Sequence, residues 1–253
     1  MDGQQLKKLN ILLVGDDCLD VYQYGCVERL SPEAPVPIFK KIKETSLPGM
    51  AGNVYRNLVN LGCQVNYLHG ATSKKTRIID EISGQHLLRI DEDVISEPLT
   101  FETDIPKVYD AIVVSDYNKG TISYELIQEL VATGMPVFVD TKKTDLMRLS
   151  GAFFKLNSLE FAKLKTFPEN DKLIVAMGKH GAIWNQRTYD APNIEVVDVC
   201  GAGDTFLASF VYQYLRTNNI DKSIGFAIKA SSITVQHTGV YAPMLGEIYA
   251  TVW

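Results

Sequence analysis

Cysteine is scarce in this sequence, and the little there is carries no pattern. Cys18, Cys26, Cys63 and Cys200 include no Cys-x-x-Cys pair and no histidine at ligand spacing. That argues against a zinc site or a disulfide frame and for reduced thiols. No apolar run approaches the roughly 20 residues of a membrane span. Met1–Asn10 is polar, without the apolar core of a secretory leader. Both features point to a cytoplasmic location and no membrane partner. Neither sign of charge dominates, since 25 Lys+Arg against 30 Asp+Glu leave a net charge of −5. Basic clusters such as Lys40-Lys41-Ile42-Lys43 are short and read as solvated edges, so no nucleic-acid partner is expected. There is no Gly-x-x-x-x-Gly-Lys-Ser/Thr, so any phosphate site is not a P-loop. Internal repeats, low-complexity tracts and a linker between two independent domains are also missing.

What is present is a chain of 253 residues, 46% hydrophobic, long enough to bury a sizeable core. Asn10–Val14, Gln64–Leu68, Ala111–Val114, Pro136–Val139, Phe153–Leu156 and Leu173–Ala176 are short apolar runs that read as strands. Between several of them lie helical patterns, as in Val54, Leu58 and Leu61, or Ile122, Leu126, Ile127 and Leu130. Alternation of this kind predicts an α/β fold, a mostly parallel sheet with helices on both faces. Val21–Pro48 differs, with four prolines, several aromatics and a strand-like piece at Val36–Ile42. With Thr76–Ile79 and His86–Ile90, a hairpin around Ser83-Gly84, it predicts a small β-sheet lid over segments 18–48 and 74–92. One domain spanning 1–253 is expected.

The stretch that organises the chain is Asp198-Val199-Cys200-Gly201-Ala202-Gly203-Asp204-Thr205-Phe206. The run Ile194–Val197 leads in as a strand, and Phe206, Leu207, Phe210, Val211 and Tyr214 recur behind it at helical spacing. A turn that opens a helix aims free N–H groups and the positive dipole end at one point, which suits a phosphate. Asp204 faces the same space. Beside an anion cradle, a carboxylate is suited to taking a proton from a hydroxyl, although the same residue also suits an ordinary acidic helix cap. Asp16, Asp116, Asp140, Asn157, Gly178 and Asp198 follow apolar runs and are expected at the carboxyl ends of strands, where ligands of open α/β sheets sit. Asn157 and Glu160, three apart, could hold Mg²⁺ through waters or could simply cap a helix.

Asp198–Phe206 resembles the signature of the ribokinase-type (PfkB) carbohydrate kinases, with Cys200 where threonine is commonest. The resemblance implies a ribokinase-like fold and ATP-dependent phosphoryl transfer. It implies Asp204 as catalytic base, with the amides of Gly201, Ala202 and Gly203 as the anion hole. Asn157-Ser158-Leu159-Glu160 is similar to the family's Asn-x-x-Glu motif, which implies Mg²⁺ handling by Asn157 and Glu160. Gly178-Lys179-His180-Gly181 resembles its nucleotide loop, and Gly239 would lie near the adenine.

Further stretches resemble bacterial heptose-7-phosphate kinases: Val14-Gly15-Asp16, Leu19-Asp20, Val27–Pro37, Lys75-Thr76-Arg77, Gln85–Asp91, Ser115–Gly120 and Val139–Lys142. By that likeness Asp20, Gly49 and Asn53 would contact the sugar, and Lys119 and Lys142 the phosphate already on it. A homodimer through the lid is also implied. Two departures stand out. Met50 and Gly52 occupy positions where the family favours Gly and Ala. Between His69 and Lys75 roughly a helix-and-strand unit is absent, which leaves the lid fewer packing partners. No His-x-Gly-His of a fused nucleotidyltransferase is found. The alternative is a catalytically idle relative with a trimmed lid that only binds sugar or nucleotide. A dinucleotide oxidoreductase is excluded, because Phe206 stands where its fingerprint needs a small residue.

Overall fold

The computed structural model describes residues 7–101 and 105–252. The first six residues of the polar stretch Met1–Asn10 therefore lie outside the described residues, as does the end of the 1–253 span. Ten strands are numbered in chain order: β1 (Asn10–Leu30), β2 (Pro37–Met50), β3 (Gln64–Asp80), β4 (His86–Glu92), β5 (Ala111–Asp116), β6 (Val137–Thr141), β7 (Phe153–Asn157), β8 (Leu173–Ala176), β9 (Ala182–Trp184) and β10 (Arg187–Tyr189). The helices are α1 (Ala51–Asn60), α2 (Tyr124–Ala132), α3 (Ser158–Phe161), α4 (Ala202–Thr217), α5 (Ile220–Thr234) and α6 (Leu245–Ala250).

The strands form one sheet in the order β10-β9-β8-β7-β6-β5-β1-β3-β4, with β2 paired to β1. From β8 through β3 the neighbours are parallel, while β9, β10, β4 and β2 join antiparallel. The first part of β1 shows why. Ile11–Val14 are all buried, as a strand covered on both faces requires. Because successive side chains alternate, Ile11 and Leu13 join a core with α1, α4, α5 and α6, while Leu12 and Val14 join a second core with α2. Ser123 caps α2 and Asn219 caps α5, each accepting an N–H from the first turn.

β1 does not stop at Gly15. There it leaves β5, its last partner being Ser115, and β2 takes over that edge from Asp17↔Met50 to Leu30↔Pro37. On its other edge β1 stays paired with β3 from Asn10↔Gln64 to Gly25↔Asp80. The lid is thus an extension of the central sheet. From sequence both strands read as broken, with Asn10–Val14 apart from the lid segment 18–48 and Gln64–Leu68 separate from Thr76–Ile79. Polar and glycine residues at Gly15-Asp16 and His69-Gly70 carry that signal, whereas the ladder runs through with one irregularity between Gly15 and Asp17.

At His69–Lys75, where the helix-and-strand unit is absent, β3 carries straight on into the lid. The Ser83-Gly84 hairpin is present, with Ile79 opposite His86. Ile194–Val197 is a second correction. It forms no strand, and Val196 and Val197 are exposed. The run is held instead by main-chain bonds from Val197 and Asp198 to Val235 O, at 2.8 and 3.2 Å. Asp198 accordingly does not end a strand. The β9–β10 hairpin and α6 are too short to leave a periodic signal. No helix among the described residues is long and apolar enough to cross a membrane.

Candidate active site

The turn into α4 is built by glycine. Gly201 has φ 77°, and a Cβ there would stand 2.7 Å from the Asn53 amide, so no larger residue fits without displacement. Asp198 braces the turn, accepting the N–H groups of Cys200 and Gly239, each at 2.9 Å. Those bonds hold its carboxyl below the ordinary range, against the opposing effect of burial. The expected trio of anion-hole amides needs one revision. Ala202 N–H donates to Val199 O at 3.3 Å and Thr205 N–H to Gly201 O at 3.0 Å. The two first-turn amides of α4 left without a helical acceptor are those of Gly203 and Asp204.

Asp204 is buried in this mouth. Asn53 Nδ2, from α1, donates to its Oδ2 at 2.9 Å, and Tyr117 OH donates to its Oδ1 at 2.9 Å. Burial pushes its carboxyl up to about 6, and Asp140 adds to the rise, while Asn53, Lys155 and Tyr117 oppose it. A buried carboxylate with that proton affinity, held at a helix N-terminus, is equipped to receive a proton near neutral pH. Lys155 projects from the middle of β7, is itself buried, and pairs with Asp140 at 2.5 Å.

Neighbouring strand ends supply the walls. The Asp16 carboxylate accepts the amides of Tyr117, Lys119 and Thr121, at 2.8, 3.0 and 3.3 Å, and so shapes the loop after β5. Asp116 is consumed internally, by Thr141 and by Lys143 at 3.0 Å. Lys142 Nζ lies 4.6 Å over the Tyr117 ring. Lys119, in the same loop, pairs with Asp93 at 2.6 Å. Asp20 is buried against Gly49, where any Cβ would collide with its carboxylate, and it pairs with Arg77 of β3. Tyr22 and Ile79 of the lid pack on Val240, beside Gly239. The Met50 position, at the start of α1, has φ 49°. That conformation suits the glycine of the resembled pattern and costs a methionine about 1–3 kcal/mol.

Several expected residues therefore converge: Asp204 with Asn53 and Gly201, and Asp20 with Gly49. Asn53 reaches Asp204 itself. Asn157 and Glu160 are placed in a capping box: Asn157 Oδ1 accepts Leu159 and Glu160 N–H, and Glu160 accepts Asn157 N–H, each at 2.9 Å. Burial raises the proton affinity of Glu160, and nearby Asp140 adds to it. Gly178 and Gly181 form the tight β8–β9 turn, closed by Met177 N–H to Gly181 O at 2.7 Å. Gly239 is tied to Asp198 rather than left open. Tyr117, Lys155 and Arg77 received no role from the sequence. Tyr117 and Arg77 stand in stretches that carried a resemblance but no individual role, and Lys155 shows as a charge inside the apolar run Phe153–Leu156.

Residues 133–245 match the family model described as pfkB family carbohydrate kinase. Two curated relatives are each named Bifunctional protein HldE. The one from Aliarcobacter butzleri (strain RM4018) is 30% identical, over 96% of this chain and 64% of the relative. That from Sulfurimonas denitrificans (strain ATCC 33889 / DSM 1251) is 32% identical, over 94% and 63%. The chain thus spans somewhat less than two thirds of those relatives. Among solved structures, ribokinase from Thermotoga maritima superposes with a TM-score of 0.72 at 17% identity, covering 96% of this chain and 98% of that one. Arabidopsis thaliana ribokinase complexed with ribose and ATP gives 0.68 at 15% identity, covering 96% and 98%. Those likenesses give the ribokinase-like fold. With the signature at Asp198–Phe206 and relatives aligned over nearly the whole chain, the protein is similar to the pfkB-family carbohydrate kinases, the family model matching residues 133–245.

Proposed function

We propose that the chain transfers the γ-phosphoryl group of ATP to a heptose 7-phosphate at its anomeric hydroxyl. The observation that carries the reading is Asp204, buried, held on both oxygens and set beside the free amides of Gly203 and itself. In this mechanism Asp204 takes the proton of the acceptor hydroxyl as its oxygen attacks, and the amides at the mouth of α4 hold the phosphoryl charge. Asp20 and Asn53 read the sugar hydroxyls. A cavity of about 440 Å³ at the end of α5, lined by Ile233, His237 and Glu247 among others, suits the adenine, near Gly239. Gly178 and Gly181 line the path of the phosphates.

Mg²⁺ fits the outer edge of this site. Asp140 lies close enough to Glu160 to disfavour its charge, and a cation held by Glu160 and Asn157 through waters would relieve that repulsion. When bound it would neutralise charge on the transferring group. The substrate class rests on the stretches that resemble heptose-7-phosphate kinases and on Lys142 and Lys119 beside the loop after β5. ATP consumption measured against a panel of sugars and sugar phosphates tests the reading. Preference for unphosphorylated pentoses or hexoses would reject the heptose phosphate.

Lys142→Ala and Lys119→Ala are expected to raise KM for the phosphorylated sugar by roughly 10–100-fold each, the worth of a charged contact. The unphosphorylated parent sugar should lose little. Equal losses for both would assign the lysines to ATP or to solubility.

The lid is proposed as a homodimer contact. Leu30, Val36, Ile42 and Leu88 are exposed on it, and the run Glu28–Pro37, so similar to the heptose kinases, forms its tip. Exposed β surface of this kind pairs readily. Light scattering at micromolar concentration should give twice the 28.2 kDa chain mass; a monomer would contradict it.

A further inference from the structure

Tyr117 has no part in the signature of the family, yet it is the side chain that closes the hydrogen-bond shell of Asp204. Three contacts fix it. Its N–H donates to Asp16 Oδ2 at 2.8 Å, its ring lies under Lys142 Nζ at 4.6 Å, and its hydroxyl donates to Asp204 Oδ1 at 2.9 Å. The anchored backbone and the ring's contact with Lys142 hold the hydroxyl on this side of the carboxylate. Opposite it, Asn53 Nδ2 holds Oδ2, so the plane of the carboxylate is set by two donors from different elements.

We propose that Tyr117 is a positioning residue for the base, holding the Asp204 carboxylate in the plane the acceptor hydroxyl approaches and keeping it ionised while buried. The inference rests on the kinase reading, in which Asp204 receives the proton. Through the reaction the phenol keeps its own proton. The hydroxyl proton of the sugar passes to a free lone pair of Asp204 as the sugar oxygen bonds to phosphorus and the bond to ADP breaks.

The charged and hydrogen-bonding groups around Asp204 come from four parts of the chain. Asp140 on β6 disfavours its ionised form, Lys155 on β7 favours it, and Asn53 on α1 and Tyr117 after β5 donate to it. Lys142 and Glu160 complete the set facing Tyr117. Burial, and then the adjacent Asp204 charge, push the phenol well above its ordinary value, so it stays a donor across the working range. A hydrogen bond to an ionised group favours that form, and its removal moves the titration upward.

The test is Tyr117→Phe, which keeps the ring under Lys142 and deletes only the hydroxyl. The acid limb of kcat/KM should move up by about one pH unit, the worth of one hydrogen bond to a charged group. KM for ATP should stay put, and the rate should recover toward wild type in alkali. Carbon-13 NMR of the Asp204 carboxyl, assigned through Asp204→Asn, should show the same upward shift without substrate. That readout stands even if wild type phosphorylates none of the sugars tried, an outcome that would reject the kinase reading alone. A second arm replaces tyrosine by 3-fluorotyrosine, a stronger donor, and should move the Asp204 midpoint down in a protein whose fold is kept. An Asp204 titration unmoved in both arms, or a Tyr117→Phe loss equal at every pH, would overturn the proposal.

Discussion

Asp204→Asn is expected to lower kcat by about 10²–10⁴, the usual worth of a general base, with ATP binding nearly intact. The amide keeps the shape, its oxygen accepting from Asn53 Nδ2 and its NH2 donating to the Tyr117 oxygen, but it cannot take the proton. A variant retaining more than half the wild-type rate would remove Asp204 from this role. The pH dependence has a defined sign. Wild-type kcat/KM should fall as pH drops through about 6, where Asp204 becomes protonated. Stability runs the other way. The folded protein binds a proton that unfolded aspartate, at 3.8, gives up earlier, so this group's contribution is present at low pH and is lost as pH rises through 6. In alkali the folded wild type carries a buried charge that the Asp204→Asn variant lacks. Thermal melting should therefore find Asp204→Asn at least as stable as wild type at alkaline pH, although it is inactive.

Lys155→Met is expected to destabilise the protein by about 3–5 kcal/mol, because it strands the Asp140 carboxylate without its buried partner. The Lys155 side chain is 5% exposed and that of Asp140 15%. Burial alone would lower the lysine's proton affinity; Asp140 overrides it and the net movement is upward. The same substitution removes a cation that favours ionised Asp204, so the acid limb of the rate should move upward as stability falls. Asp140→Asn combined with Lys155→Met should recover much of the loss, since neither charge is then left alone. Chemical denaturation of the two single variants and the double variant measures the coupling. Additive losses would show that the pair contributes nothing specific.

The parts of the fold that could be read from residues were those with a single physical cause. Ala111–Val114 is a continuous apolar run because both sheet faces are covered, and α4 announces itself through Phe206, Leu207, Phe210 and Val211. The glycine turn and Asp204 were legible because a phosphate cradle needs those residue types at that spacing. Other features were not, because their causes lie far away in the chain. Ile194–Val197 has the composition of a strand, but no neighbouring strand is there to pair with it; Val235 O takes its amides instead. Asp16 reads from sequence as a strand-end residue beside a ligand, yet it lies within β1 and is spent on three amides a hundred residues away; Asp17, which carried no signal, accepts from Tyr67 and Thr72, both at 2.7 Å. Tyr117 could not be singled out, since only the fold brings its hydroxyl to Asp204.

Because β1 and β3 run unbroken from core to lid, the lid has no loop at its base on which to swing. Its movement has to be elastic, a bending and twisting of the sheet itself, carried by the parallel β1–β3 pair with β2 and β4 on its edges. The compliant spot is the register irregularity between Gly15 and Asp17, and Asp16 sits there with its carboxylate clamped to the loop that carries Tyr117 and Lys119. Flexing the sheet there therefore strains Tyr117, proposed to orient the base, and Lys119, proposed to hold the sugar phosphate. Opening and catalytic readiness become a single mechanical coordinate, a leaf spring rather than a door.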